Sequence, residues 1–281
     1  MKLYLKFIKH YLNFLSFVAP KYGGKVAVTI FQKVRIKKIK RREAKFYETA
    51  NHFRVKREGL EDLHCYEMGD PNGKLVFLVH GWDSNAGSLS RFATELASKN
   101  FRVISFDLPA HTNTKETHTN LYVCKEALKT LIVHINPTVS FNVISHSFGS
   151  SLTSYVMAET DYKFDKIVFL SVNNSIETIF RHFQKLLGFN ERIYNEVNKW
   201  VVKIIKEDLS EMIIANKLKL SNFKEILIIH DKFDKVIGFN NAEEIHKAIP
   251  NTVLKSYEKI GHYRMLWNEN VVSDAVTYLS E

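Results

Sequence analysis

Five stretches of this chain are apolar almost without interruption: KLVFLVHG (74–81), FRVISFDLP (101–109), SFNVIS (140–145), KIVFLS (166–171) and EILIIHD (225–231). A strand with one wet face alternates polar and apolar residues, so runs of this kind suit strands covered on both faces. Helical segments lie between and after them, at 89–99, 121–135, 150–159, 242–248 and 264–280. Strand and helix in alternation predict a mostly parallel sheet wrapped by helices, because parallel neighbours need a crossover. Two half-exposed, alternating runs precede the series, FRVKREG (53–59) and DLHCYEMG (62–69), and TVLKSYE (252–258) closes it. The fold class is therefore α/β, with an eight-stranded, mostly parallel sheet flanked by helices.

One interval breaks the alternation. Residues 175–220 hold no strand-like run, only the amphipathic stretches IETIFRHFQKLLG and ERIYNEVNKWVVKIIKEDL, with Gly188 between them. A small helical cap is expected there, over the carboxyl ends of the strands. Its Ile179, Phe180, Phe183, Leu186, Phe189, Tyr194 and Trp200 could line an apolar acyl site, although aromatics at helical spacing more often form packed core. The division read from the sequence is an arm over 1–50 and a domain over 51–281 that carries the 175–220 insertion.

Charge separates arm from body. Residues 1–60 carry 16 Lys/Arg against 3 Glu, a net of +13, whereas residues 61–281 carry 24 against 27, a net of −3. A nucleic-acid reader concentrates its positive field on the domain that reads, so nucleic acid is not expected as a partner. Within the arm, Lys2, Lys6, Lys9, Asn13 and Ser16 recur at steps of four and three as a polar stripe on an otherwise apolar helix. Three lysines in the first half argue against a membrane span, and Phe17 is too large for the position before a signal-peptide cut. Two alternatives stay open. The helix docks on the body by its apolar face, or residues 1–45 make peripheral contact with anionic lipid, aided by the basic run KVRIKKIKRREAK (33–45). Two cysteines, Cys65 and Cys124, in 281 residues fit a reducing compartment. The expected location is cytoplasmic, with the arm as a route to the inner face of the membrane.

The stretch FNVISHSFGSS (141–151) places Ser147 at the end of an apolar run with small residues, Ser145 and Gly149, two positions either side. A tight strand-to-helix turn crowds those two positions, and such a turn exposes the hydroxyl at its apex. HGW (80–82) directly follows the first apolar run. Gly81 lets the chain turn so that the amide of Trp82 can join that of Phe148 as an oxyanion donor, while His80 braces the loop. In HDKFDKVIG, Asp231 and Asp234 both lie past a strand. Either could be a turn-capping carboxylate, and Asp234 has the better reach. His262, in KIGHYRML, follows a glycine and precedes a helix. Nucleophile, acid and base thus occur in the order Ser147, Asp234, His262, each past a predicted strand. No metal-ligand spacing, nicotinamide fingerprint or phosphate loop competes, and no cofactor is expected.

HGWDSNAGSLSRF, SFDLPAH, ISHSFGSS, HDKFDKVIGF and IGHYRML together resemble the landmarks of the α/β-hydrolase family, over roughly residues 53–281. Two departures stand out. Ser145 replaces the first glycine of G-x-S-x-G, and PAHTN (109–113) stands where many relatives carry Gly-His-Gly-x-Ser. The resemblance implies a serine nucleophile activated by His262, an Asp234 that fixes the imidazole tautomer, and an oxyanion held by the amides of Trp82 and Phe148. It implies a carboxylic-ester hydrolase for a small-molecule substrate with a small or medium acyl group. A thioesterase or lipid-ester hydrolase is the nearest rival, and a hydrolase-fold ligand sensor with little turnover is the rival from another class.

Overall fold

The structure, a computed structural model, describes residues 2–112 and 114–281, with the backbone alone for residues 2–5. The side chain of Lys2, from the expected polar stripe, and Asn113, from the PAHTN stretch, lie outside the described residues. The chain divides into two compact units. One gathers residues 1–33, 118–122 and 175–213, and the other 34–117, 123–174 and 214–281.

The larger unit is built on β1 (Asn51–Val55), β2 (Leu63–Gly69), β3 (Leu75–Val79), β4 (Arg102–Phe106), β5 (Phe141–His146), β6 (Phe164–Leu170), β7 (Phe223–Asp231) and β8 (Thr252–Tyr257). They form one sheet in the order β1-β2-β4-β3-β5-β6-β7-β8. β2 runs antiparallel to both β1 and β4, and all other neighbours are parallel. The continuous apolar runs became the strands from β3 to β7, and every residue of β5 is buried. Strand order reverses at β3, because the chain steps to β4 on one side and then to β5 on the other. Such a reversal opens a crevice at the carboxyl ends, where open α/β sheets hold their sites.

In chain order the helices are α1 (Lys2–Val18), α2 (Pro20–Gln32), α3 (Arg41–Thr49), α4 (Ser90–Ser98), α5 (Leu121–Ile135) and α6 (Phe148–Ala158). They continue with α7 (Ile176–Leu187), α8 (Glu191–Ile205), α9 (Ile214–Lys219), α10 (Asn240–Ala248) and α11 (Glu269–Ser280). On one face of the sheet Val76, Leu78, Ile144, Val168, Leu170 and Ile229 share a core with Phe46 of α3, Phe92 and Leu96 of α4, and Val272 and Leu279 of α11. Each such side chain contributes about 1.5–3 kcal/mol by leaving water. α6 packs against β3, β5 and β6.

The smaller unit is helical: α1, α2, α7 and α8. It takes in residues 1–33, 118–122 and 175–213, where the sequence reading has an arm over 1–50 and an insertion over 175–220. α2 lies close on α8 because Gly23 and Gly24 face it. A Cβ on Gly24 would stand 2.5 Å from the Glu196 Cβ, and one on Gly23 would stand 2.4 Å from Ile193 Cδ1. Gly188 ends α7 at φ 69°, and the Asn190 side chain caps α8 by accepting from the Ile193 amide at 3.2 Å. The polar stripe of α1 is exposed at Lys6 and Lys9 but meets protein further along. Asn13 Nδ2 donates to the Gly188 carbonyl at 2.9 Å, and Ser16 Oγ accepts from Asn190 Nδ2 at 2.8 Å. Of the insertion's aromatics, Phe180, Phe183, Phe189 and Tyr194 are buried in this unit, with Phe31 stacked on Phe180 at 4.1 Å.

Candidate active site

β5 ends at His146 and α6 begins at Phe148, so Ser147 alone joins strand to helix. It takes φ 53° and ψ −119°, a conformation that costs a side-chain-bearing residue about 1–3 kcal/mol. Two backbone bonds hold the bend: the Ser147 amide donates to the Leu170 carbonyl and the Ser150 amide to the Ser147 carbonyl, both at 2.9 Å. Gly149 is required, since a Cβ there would lie 2.4 Å from the Val79 carbonyl oxygen. Ser145, in place of a glycine, is fully buried and accepted without distortion, its carbonyl receiving Ser150 Oγ at 3.1 Å. Ser147 itself is half-buried and keeps access to solvent.

The three side chains singled out by the sequence meet. His262 Nε2 stands 3.1 Å from Ser147 Oγ, and His262 Nδ1 stands 2.8 Å from Asp234 Oδ2. Asp234 is further held by the Val236 and Ile237 amides, which donate to Oδ1 at 2.8 and 3.0 Å, and by Ser171 Oγ, which donates to Oδ2 at 2.9 Å. Burial alone would raise its pKa. The hydrogen bond and charge of His262, with those two amides, outweigh burial and hold it at about 2. Asp234 is therefore an ionised acceptor for an Nδ1–H of His262, which leaves Nε2 as an acceptor facing Ser147 Oγ.

Other histidines crowd the site but stay out of its charge balance. His80 is fully buried, and its Nε2 accepts from the Leu108 amide at 2.9 Å while Nδ1 donates to the Gly81 carbonyl at 2.8 Å. Burial first, and the neighbouring His111 second, hold its pKa well below the ordinary value. It is a neutral ring tied to the loop by both nitrogens. Burial likewise lowers His146, His111 and His230. Trp82 stands edge-on to Phe148 with ring centroids 5.2 Å apart, so the two residues named as oxyanion donors are neighbours. Phe148 is the first residue of α6, and a helix leaves the amides of its first turn without intrahelical acceptors.

Three supporting residues were not singled out in their actual parts. Ser171 supports Asp234. His146 Nε2 donates to the His262 carbonyl at 3.1 Å. Asp231, passed over in favour of Asp234, accepts from the amides of Phe233, Ile260 and Gly261 and so fixes the loop that carries His262. Small polar residues at strand ends are too common for sequence to distinguish these three. Backbone strain marks the same edge. Asp83 beyond β3, Ala110 and Thr112 beyond β4, Ser147 beyond β5 and Ser171 beyond β6 all have φ between 50° and 67°. Among the described residues no cluster of His, Cys, Asp and Glu could hold a metal.

Residues 74–210 match the family model for the alpha/beta hydrolase fold. Among solved structures, the chain is similar to a candidate lipase (Lip1) of Acinetobacter baumannii AYE, with TM-score 0.66 and 17% identity over 85% of this chain and 93% of that one. A carboxylesterase of the thaumarchaeon Nitrososphaera gargenis follows at TM-score 0.62 and 15% identity, covering 81% and 98% of the two chains. The thioesterase domain from the curacin biosynthetic pathway aligns at TM-score 0.60 and 12% identity, covering 83% and 100%. At such identities the likeness is one of fold. No curated protein matches the chain in sequence.

Proposed function

We propose that this chain, which has the α/β-hydrolase fold, is a serine hydrolase that cleaves carboxylic esters of small or medium acyl groups through an acyl-enzyme on Ser147. Ser147 Oγ attacks the ester carbonyl while its proton passes to His262 Nε2. The imidazolium so formed is paired with the Asp234 carboxylate, and the tetrahedral oxyanion rests on the amides of Phe148 and Trp82. Removing one such donor typically costs about 3–4 kcal/mol of barrier. Collapse breaks the ester C–O bond, and His262 returns the proton to the departing alcohol. Water then repeats the sequence on the acyl-serine, giving the carboxylic acid and free Ser147.

The observation that carries this reading is the line Ser147–His262–Asp234, at 3.1 and 2.8 Å, with its serine held in a strained turn. The carboxylesterase and lipase among the similar folds support an ester substrate, and the thioesterase makes an acyl thioester its nearest rival. The test is hydrolysis of p-nitrophenyl butyrate beside butyryl thioester, with fluorophosphonate labelling of the wild type and of Ser147→Ala. Turnover is expected to fall at least about a thousandfold in the variant, with labelling abolished. Hydrolysis unchanged in Ser147→Ala refutes the assignment. A folded wild type that neither labels nor hydrolyses either substrate refutes the enzyme reading in favour of a ligand sensor.

A further inference from the structure

α1 has two apolar faces. Ile8, Leu12 and Leu15, at steps of four and three, are buried within the helical unit. A second stripe, Phe7, Tyr11, Phe14 and Val18, at steps of four, three and four, points outward with Phe17 beside it. Phe7, Phe14 and Phe17 are 70%, 61% and 75% exposed. Phe7 and Tyr11 stack on each other, centroids 6.4 Å apart and planes 7° from parallel, and Tyr22 of α2 lies next to Tyr11. The aromatic ridge thus continues from α1 onto α2. A contiguous patch of this kind marks an interaction surface, unlike scattered exposed apolar residues.

Charge identifies what the ridge fits. Residues 1–42 contain 12 Lys/Arg and no Asp or Glu. Lys6, Lys9, Lys21 and Lys25 are exposed, and none is in an ion pair among the described residues. A second copy of the chain would bring one cationic face against another, which disfavours self-association. The ridge is convex, the outside of a helix, so a rigid partner would need a matching groove, whereas lipid deforms around it. Aromatic rings flanked by lysines suit the boundary between acyl chains and headgroups. No described helix is long and apolar enough to cross a membrane, so the contact is with a surface.

We propose that the outer face of α1, extended by Tyr22, docks on membranes containing anionic lipid, the rings entering the interface and the lysines facing the headgroups. The experiment is flotation of the full chain with phosphatidylcholine vesicles, with and without phosphatidylserine, at low and high salt. The wild type is expected to float with the anionic vesicles, and salt should weaken it. Phe7→Ser/Phe14→Ser/Phe17→Ser should weaken binding by more than about tenfold. Lys6→Gln/Lys21→Gln/Lys25→Gln should weaken it by about fivefold per lysine near the surface. Both changes are to exposed side chains, so thermal melting should be unaltered. Failure of the wild type to float with anionic vesicles at low salt overturns the proposal, as does a phenylalanine variant that floats like the wild type. A wild-type dimer in sedimentation that the phenylalanine variant dissociates, without vesicle binding, also overturns it and assigns the face to a second copy.

Discussion

Gly149→Ala adds one methyl group where the structure leaves no room. The new Cβ would sit 2.4 Å from the Val79 carbonyl oxygen, 2.7 Å from that of His80 and 3.0 Å from the Val79 carbonyl carbon, where ordinary contact begins at 3.4 Å. About 1 Å must therefore be found. None of the obstructing atoms is a flexible side-chain tip, because all are backbone of β3 and its extension. β3 is held by β4 on one side and β5 on the other, so the strand cannot yield alone. α6 has to move instead, and its first turn carries both Ser147 and the Phe148 amide.

Overpacking of this size costs about 1–3 kcal/mol. A domain of ordinary stability, about 5–15 kcal/mol, survives that loss and still folds. The melting temperature is expected to fall by about 2–4 °C for each kcal/mol. The functional loss should be larger. Ser147 Oγ now lies 3.1 Å from His262 Nε2, and a misplacement near 1 Å costs about a hundredfold in kcat/KM. Melting curves and p-nitrophenyl butyrate kinetics, measured side by side, read both effects. Ser145→Gly is the matched control: it restores the residue usual in G-x-S-x-G and should leave activity within a few-fold. A Gly149→Ala protein with wild-type melting and kinetics would refute the crowding argument.

Acid should expose the Asp234 linkage. Its carboxyl is held at about 2, below the ordinary aspartate value. The stability it contributes is therefore complete above about pH 4 and lost as pH falls towards 2, about 2 kcal/mol in all. Urea unfolding of the wild type and Asp234→Asn between pH 6 and pH 2 checks this. The gap between the curves should narrow on acidification, and parallel curves would contradict it. Asp231→Ala should cost about 1–3 kcal/mol, because three amides lose their acceptor, and it should also depress kcat/KM by loosening the His262 loop. Asp231→Asn, which keeps an acceptor oxygen, should recover most of both. Wild-type kinetics in the Ala variant would show that the loop holds without it.

The sheet was legible because burial on both faces leaves few polar positions within β3 to β7, and those mostly near the strand ends, so the strands announce themselves without alternation. The meeting of Ser147, Asp234 and His262 was legible for a related reason, since each lies past a strand and the strands' carboxyl ends lie together. What failed to show was any long-range contact away from the strand ends. Asn13 and Ser16 read from the sequence as part of a polar stripe with no partner named, and they serve the turn between α7 and α8, about 175 positions away. One helix expected over 264–280 is two pieces, a short 3-10 turn at Arg264–Trp267 and then α11, because Asn268 leaves helical geometry at ψ 125° and caps the second piece by accepting from the Val271 amide. Periodicity alone does not register such a break.

PAHTN, the stretch that departs most from the family's Gly-His-Gly-x-Ser, explains why the landmarks can vary. Ala110 and Thr112 stand at φ 67° and 54°, the left-handed region where the two glycines would be at ease. That conformation costs about 1–2 kcal/mol for each residue bearing a side chain. Both are buried, and His111 between them is clamped: Nδ1 donates to the Pro109 carbonyl at 3.0 Å, while Nε2 accepts from the Asp83 amide at 3.2 Å. The ring also meets His80 and Trp82 edge-on, at 5.1 and 5.6 Å. The imidazole thus ties this loop to the HGW loop, and those contacts offset the strain that glycine would have avoided. At 110, 112 and 145 a side chain is tolerated because its surroundings accommodate it, whereas at 149 the obstruction is backbone. What the fold demands at each landmark is a torsion and a volume, and the residue letter follows only where nothing nearby can give way.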